Sequence, residues 1–162
     1  MSAKRNKRGG APQDGRDLAQ NRRARFEYDI VERFEAGLVL LGSEVKALRE
    51  SGGTIQDAYV QVRGGEAWLI GAHIPQYPPA VEPHDPTRTR KLLLHRREIE
   101  HIAQGLSQKG LSVVPLRLYF KAGRVKMELA LGRGRSLYDK RRAIRDREDR
   151  REAERAMKAA RR

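Results

Sequence analysis

The uneven distribution of charge along the chain limits which part of it can form a core. The 162 residues carry a formal net charge of +14. Residues 1–25 hold eight Lys or Arg against two acidic residues, residues 139–162 hold eleven against six, and residues 26–138 hold sixteen against thirteen. Because segments rich in one charge and poor in apolar residues bury too little surface to become ordered, the core is expected in the middle.

A balanced body with two cationic ends is typical of a protein that binds a large polyanion, and nucleic acid is the first candidate. The alternative is that the basic ends only keep the domain soluble. Residues 1–20 are interpreted as a disordered basic N-terminal arm, because they are polar and rich in Gly, Lys, Arg and Gln.

The middle segment, residues 21–138, is patterned mainly as short antiparallel strands. Alternating runs over 58–63 and 66–71 flank Gly64-Gly65, a pair suited to the positive φ angles of a two-residue hairpin turn. Further strands are predicted over 111–120 and 124–131, on either side of a short turn.

The remaining patterns in the middle segment are less regular. An imperfect strand pattern covers 26–32, a short buried strand is predicted at 38–41, and residues 42–49 are ambiguous between helix and strand. Residues 75–87 hold five of the seven prolines and indicate a long exposed loop, whereas 96–108 has the apolar spacing of a helix.

Short strands in a small domain must protect their edges, and closing into a barrel does so. The sequence therefore predicts a mainly β fold with short helices, built as a small closed antiparallel barrel. A half-open sheet with a helix on one face is the alternative.

The basic C-terminal tail, residues 139–162, consists mostly of helix formers but has no continuous apolar stripe. It is expected to be disordered alone and helical on a charged partner, although a solvated helix without function is also open.

Catalysis has little support in the sequence. The chain lacks cysteine, which excludes disulfides and thiolate metal sites, and its four histidines have no metal-ligand spacing. No metal and no cofactor are therefore expected.

The N-terminus has no apolar signal core, and the longest apolar run, residues 36–41, is too short to span a bilayer. A cytoplasmic protein without a membrane partner is therefore expected.

Binding features are stronger than catalytic ones. Arg88 and Arg90 lie two apart in a basic, hydroxyl-bearing segment, so an extended backbone would point both the same way, towards neighbouring phosphates. Tyr138 lies among cations and would suit stacking on a base. Three alternatives stay open: a generic single-strand-binding barrel, a ribosomal structural protein, and a metal-dependent nuclease using Glu27 and Asp29 on one strand face.

Seven short motifs, taken in order, carry a family resemblance. They are residues 21–25 (NRRAR), 34–37 (FEAG), 42–49 (GSEVKALR), 57–59 (DAY), 65–67 (GEA), 85–94 (DPTRTRKLLL) and 139–141 (DKR). Each motif is weak alone, but their order and spacing make the set specific. The chain resembles the small protein B family, the SsrA-binding proteins that partner transfer-messenger RNA (tmRNA) in bacterial ribosome rescue.

The resemblance implies an oligonucleotide-binding-fold core within the barrel, and no enzymatic activity. It implies binding to the tRNA-like domain of tmRNA at its elbow, delivery to stalled ribosomes, and tagging of the nascent peptide for degradation. The protein would occupy the decoding site of the small subunit and place its tail, helical when bound, in the empty mRNA channel. Elongation factor Tu would be an indirect partner through aminoacylated tmRNA, and a monomer is expected.

Family roles carried over by position give two sets of residues. The RNA-facing set is Glu35, Lys46, Arg88, Arg90, Lys91, Leu93, His95 and Lys126. The decoding-site and tail set is Tyr138, Asp139, Lys140, Arg141 and Met157. Four positions depart from residues common in the family: Phe26 and Tyr138 stand where His occurs, His95 where Asn occurs, and Ala156 where a bulkier apolar residue can occur.

Overall fold

The computed structural model describes residues 16–135 and 137–160, without the side chains of 137–140, 142 and 143. Within these residues the chain forms seven strands and four helices. In chain order they are β1 (Asp17–Gln20), α1 (Ala24–Glu27), β2 (Tyr28–Leu38), α2 (Gly42–Ser51), β3 (Tyr59–Arg63), β4 (Glu66–Ile70), β5 (Arg90–Leu93), α3 (Arg96–Ser107), β6 (Leu111–Lys121), β7 (Arg124–Gly134) and α4 (Leu137–Ala160).

The strands form one antiparallel sheet in the order β1-β6-β7-β2-β5-β4-β3. The prediction of a closed barrel is wrong, because the edge strands β1 and β3 do not pair with each other in the described part of the chain. Strand β1 already occupies the free edge of β6 at residues 117–119. Strand β3 and the first half of β6 instead line a groove of about 820 Å³. The mainly β class with short helices is confirmed.

The main core packs against the long central strands and is completed by two helices. Leu118, Met127 and Leu129 from the long central strands are fully buried, and α2 and α3 add Leu48 and Ile102. This burial follows from alternation along the strands and from the apolar stripe of α3 that the sequence predicts.

A glycine allows α3 to approach the sheet closely. A Cβ atom at Gly105 would lie 2.8 Å from the Leu131 side chain, so a larger residue would require the Leu131 side chain or the helix to shift. The hairpin turn behaves as predicted, since Gly64 and Gly65 have φ angles of 61° and 74°.

Two local predictions differ from the structure, and one open alternative is decided. The runs at 26–32 and 38–41 are not separate strands, because α1 ends at Glu27 and one long strand, β2, continues to Leu38. The ambiguous segment at 42–49 lies in α2. Within the arm expected to be disordered, Asp17–Gln20 forms β1, because Leu18 and Ala19 are buried and Asp17 pairs with Arg117.

The tail lies in the helix α4 (Leu137–Ala160), and the expectation that it becomes helical on a charged partner stays a prediction. In the described part of the chain, no helix has the combination of length and apolar character that crossing a bilayer requires.

Candidate nucleic-acid interface

Five of the eight residues predicted to face RNA line one cavity. Glu35 on β2, Lys91 and Leu93 on β5, His95 before α3, and Lys126 on β7 surround a space of about 880 Å³. We refer to it as the Glu35 cavity.

Strand pairing explains why distant parts of the chain meet at this cavity. Gly37 on β2 lies opposite Leu93 of β5 on one side and opposite Lys126 of β7 on the other. A Cβ atom at Gly37 would lie 3.3 Å from Leu93 Cβ and 3.7 Å from Lys126 Nζ. The absence of a side chain at Gly37 therefore leaves room between an apolar and a cationic wall.

The carboxylate of Glu35 is held in a fixed orientation. It accepts a 2.5 Å hydrogen bond from the Tyr119 hydroxyl and a 3.0 Å bond from Lys121 Nζ. These bonds, with the nearby charge of Lys126, hold the pKa of Glu35 below its ordinary value despite some burial. Burial first, and then the charged Glu35, raise the pKa of Tyr119. The cavity thus presents a persistent anion that can accept N–H or O–H groups.

Cationic, apolar and further acidic groups complete the Glu35 cavity, and Glu66, Glu98 and Glu100 are the additional acidic residues. Lys91 Nζ contacts Glu66 at 2.9 Å in a partly exposed pair, so its charge stays accessible. Leu93 is 51% exposed and gives an apolar contact surface. His95 caps α3, and its backbone N–H donates to Glu98 at 3.1 Å.

The other three predicted RNA-facing residues, Lys46, Arg88 and Arg90, lie near α2 and do not line this cavity. Lys46 Nζ lies 5.7 Å above the Tyr77 ring. Arg88 is one-third exposed and donates to the buried Glu44 at 2.5 Å. These two side chains keep some access to solvent.

The prediction that Arg90 contacts a phosphate does not fit the structure. Its side chain is fully buried, its Nε donates to Glu44 at 2.5 Å, and its terminal nitrogens donate to the carbonyls of Ala72 and Pro86. Arg88 and Arg90 do share a side of the extended segment, as alternation requires, but that side faces Glu44. Arg90 is therefore a structural residue.

Comparisons with known proteins agree with the sequence resemblance. The family model described as SmpB protein matches residues 18–159. This chain belongs to the SmpB family. An SsrA-binding protein of Thermosynechococcus vestitus is 51% identical to this chain, and the match covers 87% of this chain and 94% of that protein. An SsrA-binding protein of Streptomyces avermitilis is 49% identical, and the match covers 94% of this chain and 88% of that protein.

A solved structure shares the fold. A chain from the work described as "tmRNA-SmpB: a journey to the center of the bacterial ribosome" is 39% identical and has a TM-score of 0.63. The match covers 78% of this chain and 93% of that one. Because the match covers most of both chains, the family assignment does not depend on a single motif.

The decoding-site set of this SmpB-family chain lies on α4. The side chains of Tyr138, Asp139 and Lys140 lie outside the described part of the structure. Arg141 is exposed, and Met157 is 64% exposed near the end of the helix. The roles of all five residues, Tyr138 to Arg141 and Met157, stay predictions.

The acidic pair considered for a nuclease does not form a common site. Glu27 ends α1, whereas Asp29 lies on β2 and faces Arg135 at 3.8 Å. No group of three potential metal ligands comes together in the residues that the structure describes.

Sequence reasoning missed Tyr119 and Lys121, the two residues that hold Glu35. They lie two apart on β6 and so share a face of that strand. That alternation was visible in the sequence. The sequence did not show that β6 and β2 pair with opposite edges of β7, which brings this face of β6 beside Glu35.

Proposed function

We propose that this protein binds tmRNA and acts in trans-translation at the bacterial ribosome, through the Glu35 cavity. The observation that carries the proposal is the meeting of Glu35, Lys91, Leu93, His95 and Lys126 in one cavity of a chain whose relatives are named SsrA-binding proteins.

The Glu35 cavity has the groups needed to hold an unpaired nucleotide of a folded RNA. Lys91 and Lys126 would neutralise backbone phosphates. Leu93 would contact a base or ribose, and the fixed carboxylate of Glu35 would accept a base N–H or a 2′-hydroxyl, which suits RNA whose bases are unstacked at an elbow. On this proposal the RNA element is the tRNA-like domain of tmRNA.

The tail is proposed to act on the ribosome separately from this cavity. Residues Tyr138 to Arg141 would contact the decoding site, and α4 with Met157 would lie in the mRNA channel. A channel filled with messenger would exclude α4 sterically, so the tail would report an empty channel. The proposal further includes a monomer in the cytoplasm that meets elongation factor Tu only through aminoacylated tmRNA.

The binding test compares Lys126→Ala with the charge-matched control Lys109→Ala, at an exposed residue of the turn between α3 and β6 that does not line the Glu35 cavity. Lys126→Ala is expected to weaken tmRNA binding and to lower the salt slope by about one phosphate contact, whereas Lys109→Ala should change neither. An equal-length folded RNA and poly-U serve as competitors. Equal binding of all three RNAs would instead favour a generic single-strand-binding protein.

The tail test uses a chain truncated after Tyr138. It should bind tmRNA nearly as well as the full chain, because all residues of the Glu35 cavity remain. Tagging of nascent peptides in a reconstituted translation system should be lost. A large fall in tmRNA affinity on truncation would contradict the separation of the two roles.

A further inference from the structure

The hydrogen bond between Tyr119 and Glu35 crosses a whole strand of the sheet. Tyr119 lies on β6 opposite Lys126 of β7, and Glu35 lies on β2 opposite Glu128 of β7. The Tyr119 side chain therefore extends over β7 to bring its hydroxyl 2.5 Å from the Glu35 carboxylate. The hydroxyl can donate to Glu35 only while the side chain keeps this direction.

Arg117 covers one face of the Tyr119 ring. The two residues lie two apart on β6 and so share a face of the strand. The central carbon of the Arg117 guanidinium lies 4.1 Å from the centroid of the ring, and the other cation–ring separations among the described residues are 5.0 Å or more. A planar guanidinium at this distance stacks on a ring and restricts its movement.

Two carboxylates on different strands fix the guanidinium itself. Its Nε donates to Glu128 of β7 at 2.9 Å, and a terminal nitrogen donates to Asp17 of β1 at 3.0 Å. These bonds, the one to Glu128 first, raise the pKa of Arg117, so the group stays charged. Because β7 and β1 lie on opposite sides of β6, the guanidinium cannot leave the ring without breaking one of these bonds.

We propose that Arg117 is a positioning residue for the Glu35 cavity, because it keeps the Tyr119 side chain in the direction that lets its hydroxyl donate to Glu35. Arg117 does not line the cavity, and among the described residues no hydrogen bond or ion pair joins it to Glu35. It therefore acts through Tyr119. The inference rests on the proposed function, in which RNA binds a carboxylate that is already held in place.

The first test measures the pKa of Glu35 by NMR in the full-length chain without RNA. Tyr119→Phe should raise it towards the ordinary value of 4.5, because the bond from Tyr119 is the largest cause of the lowered pKa. Arg117→Met should raise it in the same direction, since the ring loses the group that holds it. Other charged residues around Glu35 stay the same in every variant, among them Lys91, Lys121, Lys126 and Glu128.

Arg33→Met is the control for the lost charge. Arg33 lies two residues from Glu35 on the same face of β2 and pairs with Glu128 at 2.9 Å, as Arg117 does, but the ring that Arg117 covers is not among its contacts. Arg117→Met should therefore raise the pKa of Glu35 further than Arg33→Met. An equal rise in both variants would reduce the effect to lost charge and overturn the proposal.

Arg117→Lys is used if Arg117→Met does not fold. It keeps the charge, but an ammonium cannot lie flat on the ring while bonding to both carboxylates, so the pKa of Glu35 should still rise. An unchanged pKa in this variant would then contradict the positioning role.

A double-mutant cycle on tmRNA binding tests whether the positioning serves RNA. Arg117→Met and Tyr119→Phe should each weaken binding several-fold, and the double variant should bind no worse than Tyr119→Phe alone. Losses that simply add would mean that Arg117 acts independently of Tyr119, against the proposal.

A failure of the proposed function gives a different result. If Glu35→Gln and Lys126→Ala leave tmRNA binding unchanged while Arg117→Met raises the pKa of Glu35 further than Arg33→Met, the positioning holds and the role of the cavity in RNA binding is wrong. If Glu35→Gln and Lys126→Ala weaken binding but Arg117→Met changes neither the pKa nor the affinity, only the positioning proposal is wrong.

Discussion

Replacing Arg90 by Ala tests whether this residue supports the fold rather than binding RNA. Its guanidinium is fully buried and bridges three partners: the Glu44 carboxylate and the carbonyls of Ala72 and Pro86. Removing one partner of a buried ion pair costs about 3–5 kcal/mol. Glu44 would keep its bond from Arg88 and the Pro86 carbonyl would keep its bond from the Ile74 N–H, which favours the lower end. The Ala72 carbonyl would lose the donor that Arg90 provides, which adds to the cost.

The expected loss is therefore about 4 kcal/mol in the free energy of unfolding. Since urea slopes for small domains are about 1–3 kcal/mol per M, the urea midpoint should fall by roughly 2 M. Arg33→Ala is the control, because Arg33 is half exposed and its partner Glu128 also pairs with Arg117; it should cost about 1 kcal/mol or less.

Arg90→Lys keeps the charge and provides a variant that stays folded if Arg90→Ala does not. It is expected to lose stability to an intermediate extent, because an ammonium cannot reach all three partners in the planar geometry of a guanidinium. The reasoning would be refuted if Arg90→Ala lost less than about 1 kcal/mol, or if Arg90→Lys folded normally but lowered the salt slope of RNA binding.

Two further predictions concern stability. Hydrogen bonds from Tyr119 and Lys121 lower the pKa of Glu35 in the folded chain. The ionised Glu35 therefore adds its full contribution to folding stability above the ordinary carboxyl pKa of 4.5, and this contribution is lost as the pH falls towards the lowered pKa. Glu35→Gln should flatten this part of an acid-unfolding curve measured by circular dichroism. Gly52→Ala should destabilise the chain more than Gly64→Ala in urea unfolding. Both glycines have positive φ, but a Cβ atom at Gly52 would lie 2.5 Å from the Leu18 carbonyl oxygen, whereas Gly64 faces open space; equal losses would contradict the role of this clash.

Local sequence patterns predicted helices, strands and turns well where interactions between residues close in sequence determine the conformation. The Gly64-Gly65 hairpin, helix α3 and the pairing of β6 with β7 were all predicted, because turn glycines and apolar spacing act over a few residues. The long strand β2 was read as two pieces, because Gly37 interrupts its alternation. Its continuity depends on β7, which pairs with it from Tyr28 to Gly37.

The sheet closure and the role of Arg90 could not be predicted from local patterns. Strand β1 forms one edge of the open sheet, and it comes from an arm whose composition indicates disorder. Spacing placed Arg88 and Arg90 on one side of a strand, but only the position of Glu44 in α2 shows that this side is buried. Spacing within a strand gives the relative direction of two side chains, and the fold decides whether that direction leads to solvent.

Strand β2 connects the Glu35 cavity with the region where the tail leaves the body. Glu35 lies seven residues after Tyr28, the first residue of the strand, and seven steps of about 3.3 Å separate the two by roughly 23 Å. Strand β2 pairs with β7 from Tyr28 to Gly37, and Gly134, the residue opposite Tyr28, ends β7 shortly before α4 begins. This strand pair therefore sets the distance between the Glu35 cavity and the start of the tail. RNA held in the Glu35 cavity would thus fix the point from which α4 leaves the body, so the placement of the tail would depend on the strand pair as well as on the RNA.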